Sequence, residues 1–186
     1  MSAIFNSIFI LSKLTRMKCF FCLLLSALVL QMNAQDFLTY QTPKYSIEYL
    51  RDWSLDSTGN AGTELMILSK LQDEEDQYED AITLTVLQYT PSDDALKTFS
   101  EQHLNDLKIF YQDIKISTDE FISHGGAPCR HYVVDGKFSN VGVILEEYVW
   151  SVNDKIYLLA YNSQTEGYEK LSAAAKKILQ SFRFKL

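Results

Sequence analysis

The segment at 156–161 (IYLLAY) restricts this chain more than any other part of it. Ile156, Leu158 and Ala160 form one alternating set and Tyr157, Leu159 and Tyr161 the other, and both sets are apolar. Successive side chains on a strand point to opposite faces of a sheet, so a strand with this pattern needs cover on both sides. Leu65, Ile67 and Leu71 beside Met66 and Leu68 repeat the pattern. A sheet with one wet face is thereby excluded, and helices must supply the second layer.

Other stretches rich in β-branched and aromatic residues, bounded by turn residues, predict strands at 46–50, 64–71, 82–89, 130–134, 143–150 and 156–161. A further extended segment is expected at 114–123 and a short opening strand at 37–41. Two helices fit the requirement for cover. The first is predicted over 93–110, with Ser92 as its cap and Leu96, Phe99, His103, Leu107 and Phe110 on one stripe. The second follows Thr165 to about residue 180, with Tyr168, Leu171, Ala175, Ile178 and Phe182 on its stripe. Asp135-Gly136-Lys137 and Asn153-Asp154-Lys155 read as hairpin links, making the last three strands an antiparallel meander. The expected fold class is α+β: an antiparallel sheet of about six strands flanked by helices, an α/β/α sandwich.

The amino-terminal part reads differently. Residues 19–30 (CFFCLLLSALVL) are an uncharged apolar run preceded by Lys13, Arg16 and Lys18 and followed by a polar stretch ending in Ala34. That order is a secretory signal peptide, and the run is shorter than the roughly 20 residues a membrane-crossing helix needs. Residues 1–34 are therefore expected to be a leader, with 1–16 a start-site extension if translation begins at Met17, and 36–186 to be the exported domain, periplasmic or extracellular. All 24 acidic residues follow position 35, whereas three of the 17 basic ones precede it, so loss of the leader takes the formal charge from -7 to -10. Phosphate backbones and anionic lipids repel such a molecule, which argues against nucleic acid or a membrane surface as partner and against a stable membrane anchor after cleavage.

Candidate chemistry is sparse. Cys19 and Cys22 lie in the leader, so the mature chain keeps Cys129 alone and cannot form an internal disulfide. His124-Gly125-Gly126 resembles the oxyanion loop of esterases, but no G-x-S-x-G accompanies it, and a turn is the expected role. Cys129 and His131 share a face of one predicted strand, yet same-face neighbours lie roughly 6.5 Å apart, too far for a thiolate-imidazole pair. His103, His124 and His131 lack zinc spacing, and the acidic run at 73–80 lacks the pattern of a calcium loop. No catalytic residue, metal or cofactor is assigned. The most suggestive surface is aromatic: Tyr132, Tyr148, Trp150, Tyr157 and Tyr161 keep period-two spacing on three successive strands, and would line a ligand-binding face if their registers agree and part of it stays open. Glu146 and Glu147, mid-strand among apolar residues, suggest that one end of their strand is uncovered.

Tyr45-Ser46-Ile47-Glu48-Tyr49 with Trp53, and Ile178-Leu179-Gln180-Ser181-Phe182 near the end, resemble the opening and closing motifs of the PsbP, DcrB and Mog group of proteins. The resemblance spans about residues 40 to 184, with Leu50 where the opening motif prefers Pro. It implies an antiparallel sheet between helices and an accessory or binding role in place of catalysis, recognising an unidentified protein or small ligand through a sheet face or a helix-sheet cleft. The rival readings are a small secreted hydrolase using His131 or Cys129 and a cell-envelope structural protein held by contacts between copies.

Overall fold

Both alternating sets of the 156–161 segment find cover. In chain order the described residues (36–71, 78–90 and 94–185) of this computed structural model form β1 (Phe37–Gln41), β2 (Tyr45–Leu50), β3 (Ser54–Asp56), β4 (Leu65–Leu68), β5 (Ala81–Gln88), α1 (Ala95–Phe110), β6 (Gln112–His124), β7 (Ala127–Phe138), β8 (Val141–Val152), β9 (Lys155–Gln164), α2 (Tyr168–Ser181) and β10 (Arg183–Phe184). The expected leader, the capping Ser92 and most of the acidic run lie outside the described residues.

Seven strands make one antiparallel sheet in the order β3-β4-β5-β9-β8-β7-β6. Five of the six predicted strands lie in it (β4, β5, β7, β8 and β9), the extended segment expected at 114–123 is its edge strand β6, and β3 is an addition. The strand at 46–50 and the opening strand at 37–41 instead belong to a separate three-stranded sheet, β1-β2-β10, which joins the two ends of the domain. On one face of the large sheet, Ile156 and Ala160 pack with Tyr132, Val134, Leu145 and Val149 beneath Leu104 and Leu107 of α1. On the other, Tyr157, Leu159 and Tyr161 join Ile82, Leu84 and Trp150 beneath α2 and the small sheet together, with Tyr45, Ile47, Ile178 and Phe182 in the same core. Each large side chain fully withdrawn from water contributes about 1.5–3 kcal/mol, so the two cores on either side of β9 carry the fold. The predicted α1 stripe packs on the sheet through Leu96, Phe99, His103 and Leu107, joined by Leu104, whereas Phe110, at the last turn, is 65% exposed.

Turn chemistry sets the meander. Asn153 and Asp154 both take positive φ (50° and 60°) and join β8 to β9 as predicted. The β7–β8 link, however, is Ser139-Asn140, with φ of 50° and 70°, and Asp135-Gly136-Lys137 lies inside β7. Gly136 serves close approach instead of a turn, since a Cβ there would stand 3.2 Å from the Gln112 carbonyl oxygen and 3.4 Å from the Tyr111 Cβ. The β6–β7 hairpin turns on Gly125-Gly126, with φ of 65° and 94°, so the His-Gly-Gly motif is a turn. A Cβ on Gly125 would also press on Phe182, 3.2 Å from its ring and 3.3 Å from its carbonyl oxygen. Gly125→Ala is therefore expected to cost at least about 1–2 kcal/mol of folding stability, read as a lower urea midpoint with an unchanged slope.

Candidate functional site

At the end of the sheet carrying the Ser139-Asn140 turn, β7 and β8 project beside the junction of β9 with α2. Gly142 makes this junction possible. It accepts a hydrogen bond from the Thr165 backbone N–H (3.0 Å) and leaves no room for a side chain, since a Cβ would stand 2.8 Å from the Thr165 hydroxyl oxygen. The resulting cleft has a volume of about 1010 Å³ and is lined by charges of both signs, Asp113, Lys115, Asp135, Lys137 and Glu166 among them. Lys137 Nζ donates to Asp113 Oδ2 at 2.8 Å; the bond and the opposite charge hold the Asp113 carboxyl below, and the Lys137 ammonium above, their ordinary pKa ranges. Apolar side chains stand at the same end: Phe138 and Val141 are paired across the hairpin and are 52% and 44% exposed. The Tyr111 ring lies 5.8 Å from that of Phe138, and Ile109 and Phe110 directly precede it, exposed at the end of α1. Exposed apolar anchors beside a charged cleft form a surface that water solvates poorly and a partner can cover.

The five aromatic residues singled out in the sequence do not form such a surface. Tyr148, Trp150, Tyr157 and Tyr161 share the face under α2, but Tyr132 lies in the core under α1 because it pairs with Glu147, the neighbour of the residues facing α2. All five are at most 6% exposed. The Trp150 indole N–H donates to the His124 carbonyl (2.9 Å), and the Tyr161 hydroxyl donates to Asp80 (2.5 Å). No open aromatic face is left: α2, the small sheet and α1 roof these rings.

Glu146 and Glu147 do not mark an uncovered strand end either. They are 4% and 3% exposed, one on each face of the sheet, and each meets a histidine. His103 from α1 brings its Nε2 to 3.0 Å from Glu147. His131 places Nε2 3.1 Å from Glu146 and Nδ1 3.2 Å from Glu120 of the edge strand, with its ring stacked on Tyr148 at 4.3 Å. Burial draws both imidazole pKa values down, but the carboxylates outweigh it and the net direction for each is upward. Three histidines and two mid-strand glutamates were visible in the sequence; the pairing was not, because it joins residues 44 and 15 positions apart.

The alternative nucleophile is poorly set. Cys129 is fully buried, and desolvation pushes its thiol up to about 11, so it stays protonated at neutral pH. Both ring nitrogens of His131 are engaged by carboxylates, and His124 Nε2–H donates to the Leu179 carbonyl at 3.0 Å. Among the described residues, no group of three or more His, Cys, Asp or Glu is placed to hold a metal ion.

The chain matches no protein-family model and no curated protein sequence. Solved structures do resemble it. The cyanobacterial PsbP protein CyanoP of Synechocystis superposes with a TM-score of 0.57 at 8% identity, covering 82% of this chain and 95% of that one. LpqN of Mycobacterium tuberculosis, described as involved in cell envelope biogenesis, gives a TM-score of 0.58 at 14% identity, with 83% and 93% covered. A Pseudomonas aeruginosa protein of unknown function, described as a putative regulator, gives 0.54 at 10%, with 78% and 94% covered. The fold is accordingly PsbP-like, α+β with antiparallel sheets.

Proposed function

We propose that this chain is an exported, non-enzymatic accessory module that binds a protein partner at the hairpin end of its large sheet. The observation that carries the reading is the conjunction of exposed Phe110, Phe138 and Val141 with a charged cleft of about 1010 Å³. Buried aromatic anchors inside a polar rim are how protein interfaces divide their work, and this end supplies both parts before any partner arrives. Export rests on the sequence pattern at 1–34, which is that expected of a leader. Support for a non-enzymatic role comes from the condition of the nucleophile candidates: a protonated buried thiol and histidines held by carboxylates or a backbone carbonyl.

Peptides selected from a random display library on the full-length chain test this. Their affinity is expected to fall at least tenfold when Phe138 and Val141 are both changed to Asp, with the far-ultraviolet circular dichroism unchanged. Selected peptides indifferent to that change would move the binding surface elsewhere, and turnover of chromogenic ester, peptide or glycoside substrates would replace the reading with a hydrolase.

A further inference from the structure

At the opposite end of β8 lies a second, smaller cavity of about 180 Å³, and its chemistry is unlike the first. Val152, Tyr157 and Phe184 form apolar wall, and beside Pro43 and Asn153 three lysines from separate parts of the chain line it: Lys44 from the β1–β2 turn, Lys155 from the start of β9, and Lys185 after β10. Among the described residues, no acidic side chain lines it. The Tyr157 and Phe184 rings meet edge to face at 4.9 Å, so the wall is fixed. Backbone joins two of the lysines: the Lys185 N–H donates to the Lys44 carbonyl (2.8 Å), while Lys185 Nζ donates to the Thr42 carbonyl (2.8 Å) and the Gln41 side chain (3.3 Å). Lys44 Nζ reaches Glu64 only at 4.0 Å. Lys155 is half-buried and makes no side-chain hydrogen bond or ion pair with any described residue.

We propose that this cavity binds a small organic carboxylate with a flat apolar body. Three lysines lining one space stand out from the acidic surface of a chain of net charge -7. An anion in this space gives the Lys155 ammonium the acceptor it lacks. The aromatic wall selects against a bare inorganic ion, which leaves the rings wet, and the acidic surface selects against polyanions. At roughly 30 Å³ for each water of liquid volume, the space corresponds to about six waters, the size of a single substituted aromatic ring.

The probes are phenylacetate, its neutral analogue phenylacetamide, and inorganic phosphate, each titrated into the full-length chain by calorimetry or by chemical-shift change. Phenylacetate is expected to bind with a Kd on the order of 0.1–1 mM, at least tenfold tighter than either of the others. Lys155→Met is expected to weaken phenylacetate at least tenfold, Lys155→Gln likewise should the methionine variant fold poorly, and Lys137→Met in the other cleft to leave it unchanged. Equal binding of phenylacetate and phenylacetamide, phosphate as tight as phenylacetate, or full affinity in a folded Lys155 variant would each overturn the assignment.

Discussion

Trp150→Ala is expected to lower the folding free energy by about 4 kcal/mol, the largest loss of any single substitution considered for this chain. The indole is fully buried, at the centre of a ring cluster: centroids of Tyr148, Phe182, Phe184 and His124 lie 5.9, 5.1, 5.5 and 5.8 Å away. Truncation removes the area these rings cover and opens a cavity that the sheet, fixed on both sides by β7 and β9, cannot close. It also strands the His124 carbonyl, which accepts the indole N–H at 2.9 Å. Urea unfolding followed by Tyr circular dichroism measures the effect. A loss below about 1 kcal/mol would restore Trp150 to the role of an exposed ligand contact, because a side chain on open surface leaves no cavity.

The same residue shows what a sequence can and cannot reveal. The doubly apolar β9 required two covered faces, and both covers exist, because period-two alternation is a local property. Asn153-Asp154 identified a hairpin, since few residues accept positive φ in succession. Gly136 misled for the converse reason. Glycine answers either to dihedral strain or to a neighbour's approach, and only the fold brings Gln112 and Tyr111 against it. Phe110 fits an apolar stripe yet projects into solvent, because whether a helical hydrophobe is roofed depends on how far the sheet beneath it extends. The small sheet β1-β2-β10 is not legible as a sheet in the sequence: β10 is two residues long and pairs with Ser46 and Tyr45 across nearly the whole domain. The cleft at the Ser139-Asn140 end shows the same non-locality, its lining and its exposed neighbours coming from α1, β6, β7, β8 and the β9–α2 junction.

Replacing His103 by Leu is expected to cost about 3 kcal/mol, and the Glu147→Leu companion to recover a large part of it. Glu147 is 3% exposed and its contact with His103 ties α1 to the sheet; without the imidazole a carboxylate is left in a core of Tyr132, Leu145 and Val149. Removing both partners leaves apolar groups in an apolar place, so the double variant separates the worth of the pair from the penalty of stranding one charge. The pH dependence has a definite sign. His103 faces Glu147, Asp106 and Tyr132, and His131 faces Glu120, Glu146 and Tyr148; in each the carboxylates raise the pKa over the lowering effect of burial. The native state then binds protons more tightly than the unfolded chain near pH 6.5, so this stabilisation is complete below that value and fades as the pH climbs through the folded pKa values. Thermal melts between pH 6 and 8 are expected to show a Tm that falls with rising pH in the unmodified chain. His103→Leu is expected to flatten the slope, and His103→Leu with His131→Leu to remove the fall altogether, leaving only the opposite, rising contribution of His124, whose imidazole burial holds below its ordinary range. The paired Arg130, which donates to Asp119 at 2.7 and 2.8 Å and holds that carboxyl below its usual range, acts with the opposite sign and only in acid, so it leaves this window untouched. A slope unchanged in the double histidine variant would place the titrating groups elsewhere and leave Glu146 and Glu147 as silent members of the core.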